Sequence, residues 1–419
     1  MIDLVSLCKN SRIAGEKLLA LSEDKINATL MAVAKSLREK SQYLIEQNAI
    51  DLENAKIKGL SNAFIDRLTL SQKVIDGVAE GVEQVATLPS PIGKSVYTYR
   101  NENQDIDIEK ITVPFGVIGI IYESRPNVTA DAFALCFKAG NAVVLKGGSD
   151  SINSNRAVVK VIKGALEGVG VDSNAISLID DTSRETTIEF MKMKDYVDLL
   201  IPRGGASLIK SAVENATIPI IETGTGNCHI YVDDSADENM SRDVIFNAKT
   251  QRYSVCNACE SLVFHKNALE KVLPIVAEKL KEKQVEIRAD ELSYNVIKNY
   301  PYLTHATESD FSTEYGDAVI SVKTVENLTE AIEHINKNST HHSEAIITKN
   351  DENAKIFMRD VDSSTVYHNA STRFSDGFVF GLGAEIGIST QKLHARGPMG
   401  LEALVTTKYL VKGSGSVRK

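Results

Sequence analysis

Between residues 117 and 221 the chain repeats one pattern: a short, uninterrupted apolar run followed by a longer segment whose apolar residues recur at helical spacing. The runs are 117–121, 142–145, 175–179, 197–201 and 218–221, and the helical segments between them are 130–138, 153–166, 184–193 and 205–215. A strand that is apolar at every position is buried on both faces, and strands joined by crossovers of this length pair in parallel. The alternation therefore predicts a parallel sheet with helices on both sides, which takes ligands beyond the carboxyl ends of its strands.

A second alternation follows, with strands at 262–264, 318–322, 345–348 and 365–367 and helices at 268–283, 325–335 and 352–361. It reads as a second α/β domain. Upstream, Leu30, Val33, Leu37, Leu44 and Ile50 recur at roughly helical spacing and predict helices that cover a sheet. The segments 95–100 and 106–113 alternate as a β-hairpin around the polar turn 101–105. The chain ends on Gly413-Ser414-Gly415-Ser416, which reads as a loose tail.

The 419 residues can bury a large core without covalent staples. A net charge of -9 argues against a general nucleic-acid binder, which needs clustered cations. No apolar run reaches the length of a membrane span. The start lacks the basic and apolar regions of a secretion signal, so a cytoplasmic protein is expected. Cysteines 8, 136, 228, 256 and 259 are odd in number and scattered, which points to reduced thiols and not to a disulfide framework.

Cys256 lies in a polar turn just before the apolar run at 261–264, with Lys249 and Arg252 upstream. A thiol becomes a nucleophile when cations or backbone N–H groups favour its thiolate, and these two basic residues are candidates for that task. The plain alternative is a small apolar residue in the core. Cys256 and Cys259 could also form a redox or zinc pair, but a second ligand pair at matching spacing is absent. His334, His341 and His342 lack the spacing of a metalloprotease helix and read as structural; no metal is expected. No Gly-x-Ser-x-Gly elbow supports a serine hydrolase.

Several segments in their order along the chain carry a resemblance: 114–129, 140–148, 201–205, 228–233, 255–257, 331–346 and 396–402. Together they resemble the aldehyde dehydrogenase superfamily, within it the branch that reduces acyl phosphates. The signature at 331–346 departs at Asn338, where the family pattern has His or Tyr, read here as a minor change in a surface loop. The implied fold is an α/β, aldehyde dehydrogenase-like pair of domains plus a β-hairpin oligomerisation element. The implied division is 1–94 and 114–232 for an NADP-binding domain, 233–368 for a catalytic domain and 369–395 for a return to the cofactor domain. Segments 95–113 and 396–419 would then form the oligomerisation elements.

The resemblance implies NADPH-dependent reduction of L-glutamyl 5-phosphate to L-glutamate 5-semialdehyde, the second step of proline biosynthesis, through a thioester on Cys256. The backbone N–H of Cys256 would be one oxyanion donor. Relatives place a side-chain amide where this chain has Ser124, and the nearest amide here is Asn127. The implied cofactor residues are Lys146, Gly147, Gly148, Ser149, Gly204, Gly205 and Glu222; a Gly-x-Gly-x-x-Gly turn is absent after the first strand, and Gly381, Gly383 and Gly387 come too late to supply one. Ser149 stands where NAD-preferring relatives carry an acid, which leaves room for a 2′-phosphate and favours NADP, although Asp150 is adjacent. Arg125 and Arg373 are the candidates for binding the substrate's charged groups. Glu222 stands where aldehyde-oxidising relatives keep a general base, so hydrolytic NAD(P)-dependent aldehyde oxidation is the alternative. A thiol- or metal-binding scaffold is the non-enzymatic one. A homodimer or higher oligomer and a separate glutamate 5-kinase are the expected partners.

Overall fold

A computed structural model describes residues 3–123 and 125–418, without the side chains of Ala63 and Ala206. The chain forms two compact units, one of residues 1–223, 381–387 and 399–419 and the other of 224–380 and 388–398. In chain order the strands are β1 (Ser95–Asn101), β2 (Ile106–Pro114), β3 (Val117–Tyr122), β4 (Ala142–Gly147), β5 (Ile176–Leu178), β6 (Leu199–Arg203), β7 (Cys228–Val232), β8 (Cys259–His265), β9 (Glu286–Ala289), β10 (Leu303–His305), β11 (Val319–Val325), β12 (Ser343–Ile347), β13 (Thr365–His368), β14 (Ile388–Ser389), β15 (Gly397–Pro398) and β16 (Val405–Gly413).

The first unit is built on a parallel sheet of order β5-β4-β3-β6. Every residue of β3 and β4 is buried, as their continuous apolar sequence requires. The run at 218–221 does not become a full strand; only Ile220 bridges to Leu200 of β6, with Ile221 donating to the Leu200 carbonyl at 3.0 Å. The helices expected upstream are Glu23–Glu39 and Ser41–Ile57. Ser22 caps the first of these by accepting the Lys25 N–H.

The hairpin β1-β2 gains a third, antiparallel strand, because β16 pairs with β2 from Val405 to Gly413. The strand takes in the alternating Val405, Tyr409 and Val411 and ends at Gly413, so that of the tail read as loose only Gly413 is strand. This sheet leaves Val96, Tyr97, Tyr99, Tyr409 and Val411 exposed.

The second unit carries a seven-stranded parallel sheet of order β10-β9-β11-β8-β7-β12-β13. Residues 228–232, read as part of the first domain, are instead β7 and lie between β8 and β12. The apolar side chains of β7 and β8, among them Ile230, Leu262 and Phe264, are fully buried in the core of that unit. The stretch 369–395 does not return to the first unit as a whole; only 381–387 does. Thr372 is tied to Asn257, β14 pairs with β15, and Asp362 holds both Lys392 (2.5 Å) and Arg396 (2.9 Å), all within the second unit. The C-terminal segment is likewise split, with 396–398 in the second unit and 399–419 in the first. Asn338 is no loop residue: it ends the helix Leu328–Asn338, and its carbonyl accepts from the buried Asn227 amide at 3.0 Å.

Candidate active site

The helix Glu238–Thr250, capped by Asp237, delivers the chain to the turn ahead of β8. A hydrogen bond of 3.0 Å from the Ala258 N–H to the Val255 carbonyl closes that turn, with Cys256 and Asn257 at its centre. Cys256 is half-buried, whereas Cys8, Cys136, Cys228 and Cys259 are buried. Asn257 fixes the turn to a distant loop: its Nδ2 donates to the Ser375 carbonyl at 2.9 Å, and its own carbonyl accepts from Thr372 Oγ1 at 2.8 Å. Gly226 packs so closely that a Cβ there would run into the backbone of Cys256.

Cys228 Sγ donates to the Cys256 carbonyl at 3.2 Å. Burial pushes the Cys228 thiol well above its ordinary pKa, so it stays protonated and serves as a donor. Behind it stand His342, with Nδ1 3.8 Å from Cys228 Sγ, and a chain from Ser343 to Ser375 to Tyr367 linked at 2.5 and 2.7 Å. Gly226, Cys228, Asn257 and Thr372 stand outside every chemical pattern visible in the sequence. The closely spaced Gly224 and Gly226 were the one local signal of a tight approach.

The charges near the nucleophile differ from the reading. Lys249 points away from solvent and pairs with Glu260 at 2.5 Å, both side chains having no exposed surface. It is a structural ion pair and is not available to Cys256. Arg252 is exposed. Arg373 stands beside the nucleophile: its Nε donates to Gln251 Oε1 at 3.0 Å, burial lowers its pKa, the charge of Cys256 opposes that shift and the nearby Arg252 adds to it. Cys259 is sealed in β8, where burial raises its pKa and its Sγ contacts the Ser261 carbonyl at 3.4 Å. Among the described residues no group of three or more His, Cys, Asp or Glu is placed to hold a metal.

The first unit has its own cavity of about 300 Å³ at the carboxyl ends of β3 and β4. Lys146, Gly147 and Gly148 line it, and Gly204 and Gly205 stand just ahead of the helix Ala206–Asn215 that contributes Ser207 and Ser211. Lys146 is only 3% exposed, and its Nζ has one long contact, 3.4 Å to the Gly147 carbonyl. A Cβ at Gly147 would meet the Asn155 amide, and one at Gly204 would meet the Glu123 carboxyl. Glu123 itself accepts the Gly205 N–H at 3.2 Å. Ser149 is exposed and opens a short helical turn, while the neighbouring Asp150 is engaged by Lys58 at 2.7 Å.

The other candidates lie in the first unit. Asn127 begins the helix Asn127–Lys138, and its amide donates to Asp131 in the same helix at 3.2 Å. Burial pushes Asp131 up to about 6. Arg125 is exposed in the turn before that helix, and its carbonyl accepts the Val128 N–H. Glu222 is half-buried in the extended segment beside β6. Ser124 lies outside the described residues.

Residues 7–294 match the sequence profile of the aldehyde dehydrogenase family. The chain belongs to the aldehyde dehydrogenase family. It is 51% identical, over the full length of both chains, to a gamma-glutamyl phosphate reductase of Caldicellulosiruptor bescii. A gamma-glutamyl phosphate reductase of Lachnospira eligens is 53% identical over 97% of each chain. The solved structure of gamma-glutamyl phosphate reductase from Thermotoga maritima superposes with a TM-score of 0.97 at 44% identity, covering all of both chains. The aldehyde dehydrogenase-like α/β fold expected from the sequence is thus the fold observed, and this member of the family is an oxidoreductase.

Proposed function

We propose that this aldehyde dehydrogenase-family enzyme reduces L-glutamyl 5-phosphate to L-glutamate 5-semialdehyde with NADPH, a step of proline biosynthesis. The observation that carries the reading is the turn at Cys256, half-exposed, fixed by Gly226, Cys228 and Asn257, and flanked by the Arg373 guanidinium. The full-length similarity to gamma-glutamyl phosphate reductases supports the choice of substrate.

In this reading the Cys256 thiolate attacks the C5 carbonyl of the acyl phosphate, favoured by the positive charge of Arg373. The tetrahedral oxyanion is held by the backbone N–H of Cys256. Asn127 would be the second donor, for which its amide must leave Asp131. Phosphate departs with the bonding electron pair and leaves a thioester. NADPH, when bound, supplies the hydride that reduces the thioester carbonyl. The resulting thiohemiacetal collapses, expels the Cys256 thiolate and releases the semialdehyde. Arg373 and Arg125 are suited to the carboxylate and phosphate groups of the substrate.

The cavity fits a dinucleotide in three respects. Lys146 is a buried ammonium short of partners, glycine at 147 and 204 keeps the cavity walls clear, and Asp150 is engaged by Lys58. Ser149 and Gly148 would face the adenosine end together with Lys146, and Glu222 would line the site without acting as a base. The exposed apolar side chains of the β1-β2-β16 sheet support a homo-oligomer formed through it. A separate glutamate 5-kinase would make the acyl phosphate.

The deciding assay runs the reaction backwards, with glutamate 5-semialdehyde and NADP+. NADPH should form continuously only when inorganic phosphate is present, with no more than one equivalent per site in its absence. Continuous turnover without phosphate would overturn the reading in favour of hydrolytic oxidation with Glu222 as base.

A further inference from the structure

We propose that Arg184 reads the 2′-phosphate of the nicotinamide dinucleotide and sets the preference for NADP, an inference that rests on the reading of the first unit's cavity as the cofactor site. Arg184 lines that cavity together with Lys146, Gly147 and Gly148, and is the first residue of the helix Arg184–Phe190. Two cations thus border one small space. Neither makes an ion pair among the described residues: Lys146 has its long contact with the Gly147 carbonyl and feels the charge of Asp181, and Arg184 makes no ion pair or side-chain hydrogen bond.

Three acids near these two cations already hold other donors. Glu123, the carboxylate that lines the cavity among the described residues, accepts the Gly205 N–H at 3.2 Å. Asp181 accepts the Ser183 N–H at 2.8 Å and the Thr186 hydroxyl at 2.9 Å. Asp150 is paired with Lys58 at 2.7 Å. A free ribose 2′-hydroxyl, as in NAD, calls for a carboxylate acceptor, whereas a phosphate calls for a guanidinium and hydroxyl donors. The cavity offers the second set, with Thr182, Thr187, Ser207 and Ser211 as the hydroxyls.

Lys146 and Arg184 divide the work by position. Lys146 is buried at the end of β4, where it meets whatever nucleotide enters, while Arg184 is exposed and its long planar fork can reach a group that projects toward solvent. Loss of Arg184 should therefore remove selectivity and spare general nucleotide binding.

The test is calorimetric titration of the full-length protein with adenosine 2′,5′-bisphosphate and with adenosine 5′-monophosphate, for the native chain, Arg184→Ala and Arg184→Lys. The native protein should bind the bisphosphate at least tenfold more tightly. Arg184→Ala should lose most of that preference while its monophosphate affinity stays within about twofold, and Arg184→Lys should keep an intermediate preference. Circular dichroism confirms that each variant is folded. A native preference that persists in Arg184→Ala, or equal weakening of both nucleotides, overturns the assignment of Arg184 alone. A native protein that binds neither nucleotide removes the cofactor reading of the cavity and this inference with it.

Discussion

Lys249 Nζ and Glu260 Oε2 meet at 2.5 Å with neither side chain exposed, and they bracket the turn that carries Cys256. The second carboxylate oxygen, Oε1, accepts the Gly316 N–H at 3.2 Å, so the pair also ties the turn to the loop before β11. Breaking one member leaves a buried charge without its partner, at a cost of about 3–5 kcal/mol. Lys249→Met should lower stability by that amount in urea denaturation. The double variant Lys249→Met with Glu260→Leu should recover most of the loss, since a buried pair contributes little over an apolar one. A double variant as unstable as the single one would show that the pair does more than cancel its own burial.

Cys256→Ser should reduce turnover by about 10³-fold or more, because the alcohol is a far weaker nucleophile at neutral pH. Cys259→Ala should retain most activity, since that thiol is enclosed in β8 and among the described residues its one side-chain hydrogen bond goes to the Ser261 carbonyl. Steady-state rates of the two variants, with a trapped acyl-enzyme measured by intact mass, separate a single nucleophile from a working thiol pair. Equal losses in both would support the pair.

Two cations, Lys249 and Arg373, show what local sequence can and cannot reveal. Lys249 lies close to Cys256 in sequence, yet in the helix Glu238–Thr250 it shares the buried face with Ser241, Ile245 and Ala248, and that helical phase turns it into the core. Arg373 belongs to the site because Asn257 and Thr372, 115 positions apart, are joined by a hydrogen bond. The same holds for Cys228 and Cys256, 28 positions apart. No periodicity carries such pairings. The strands β3, β4, β8 and β12 were legible because burial on both faces forces a continuous apolar run. β9 and β10 were not, being short, with half-buried or exposed positions at one edge of the sheet.

Removing the Arg373 guanidinium removes positive charge that favours the Cys256 thiolate. Arg373→Gln should therefore shift the iodoacetamide alkylation profile of Cys256 to higher pH and slow alkylation at pH 7 several-fold. If Arg373 also binds the substrate, KM for the acyl phosphate rises in the same variant. An unchanged alkylation profile with a raised KM would confine Arg373 to substrate binding.

Burial lowers His342 to about 4 and His334 to about 3, both from 6.5, so both rings are neutral in the fold. A depressed histidine contributes stability that is complete above pH 6.5 and is lost as pH falls toward the folded value. Each such ring should cost about 1.4 kcal/mol per pH unit below 6.5. Denaturation midpoints between pH 6.5 and 5 should fall with this slope, and His342→Gln should flatten it by one proton's worth. A slope unchanged in that variant would mean that His342 takes up its proton in the folded chain.

Gly226 has to be glycine, because any Cβ would overlap the backbone of Cys256. The side chain has no flexible end that could move aside, and the obstacle is main chain. Gly226→Ala must therefore push the turn away from the position that Cys228 and Asn257 fix through the Cys256 and Ser375 carbonyls. A displacement of about 1 Å at the nucleophile can cost on the order of 10²-fold in rate. The expected result is a folded protein, by circular dichroism, with kcat reduced about 100-fold and Cys256 still open to alkylation. Full activity in Gly226→Ala would show that the turn tolerates the shift and that its geometry is not what makes Cys256 reactive.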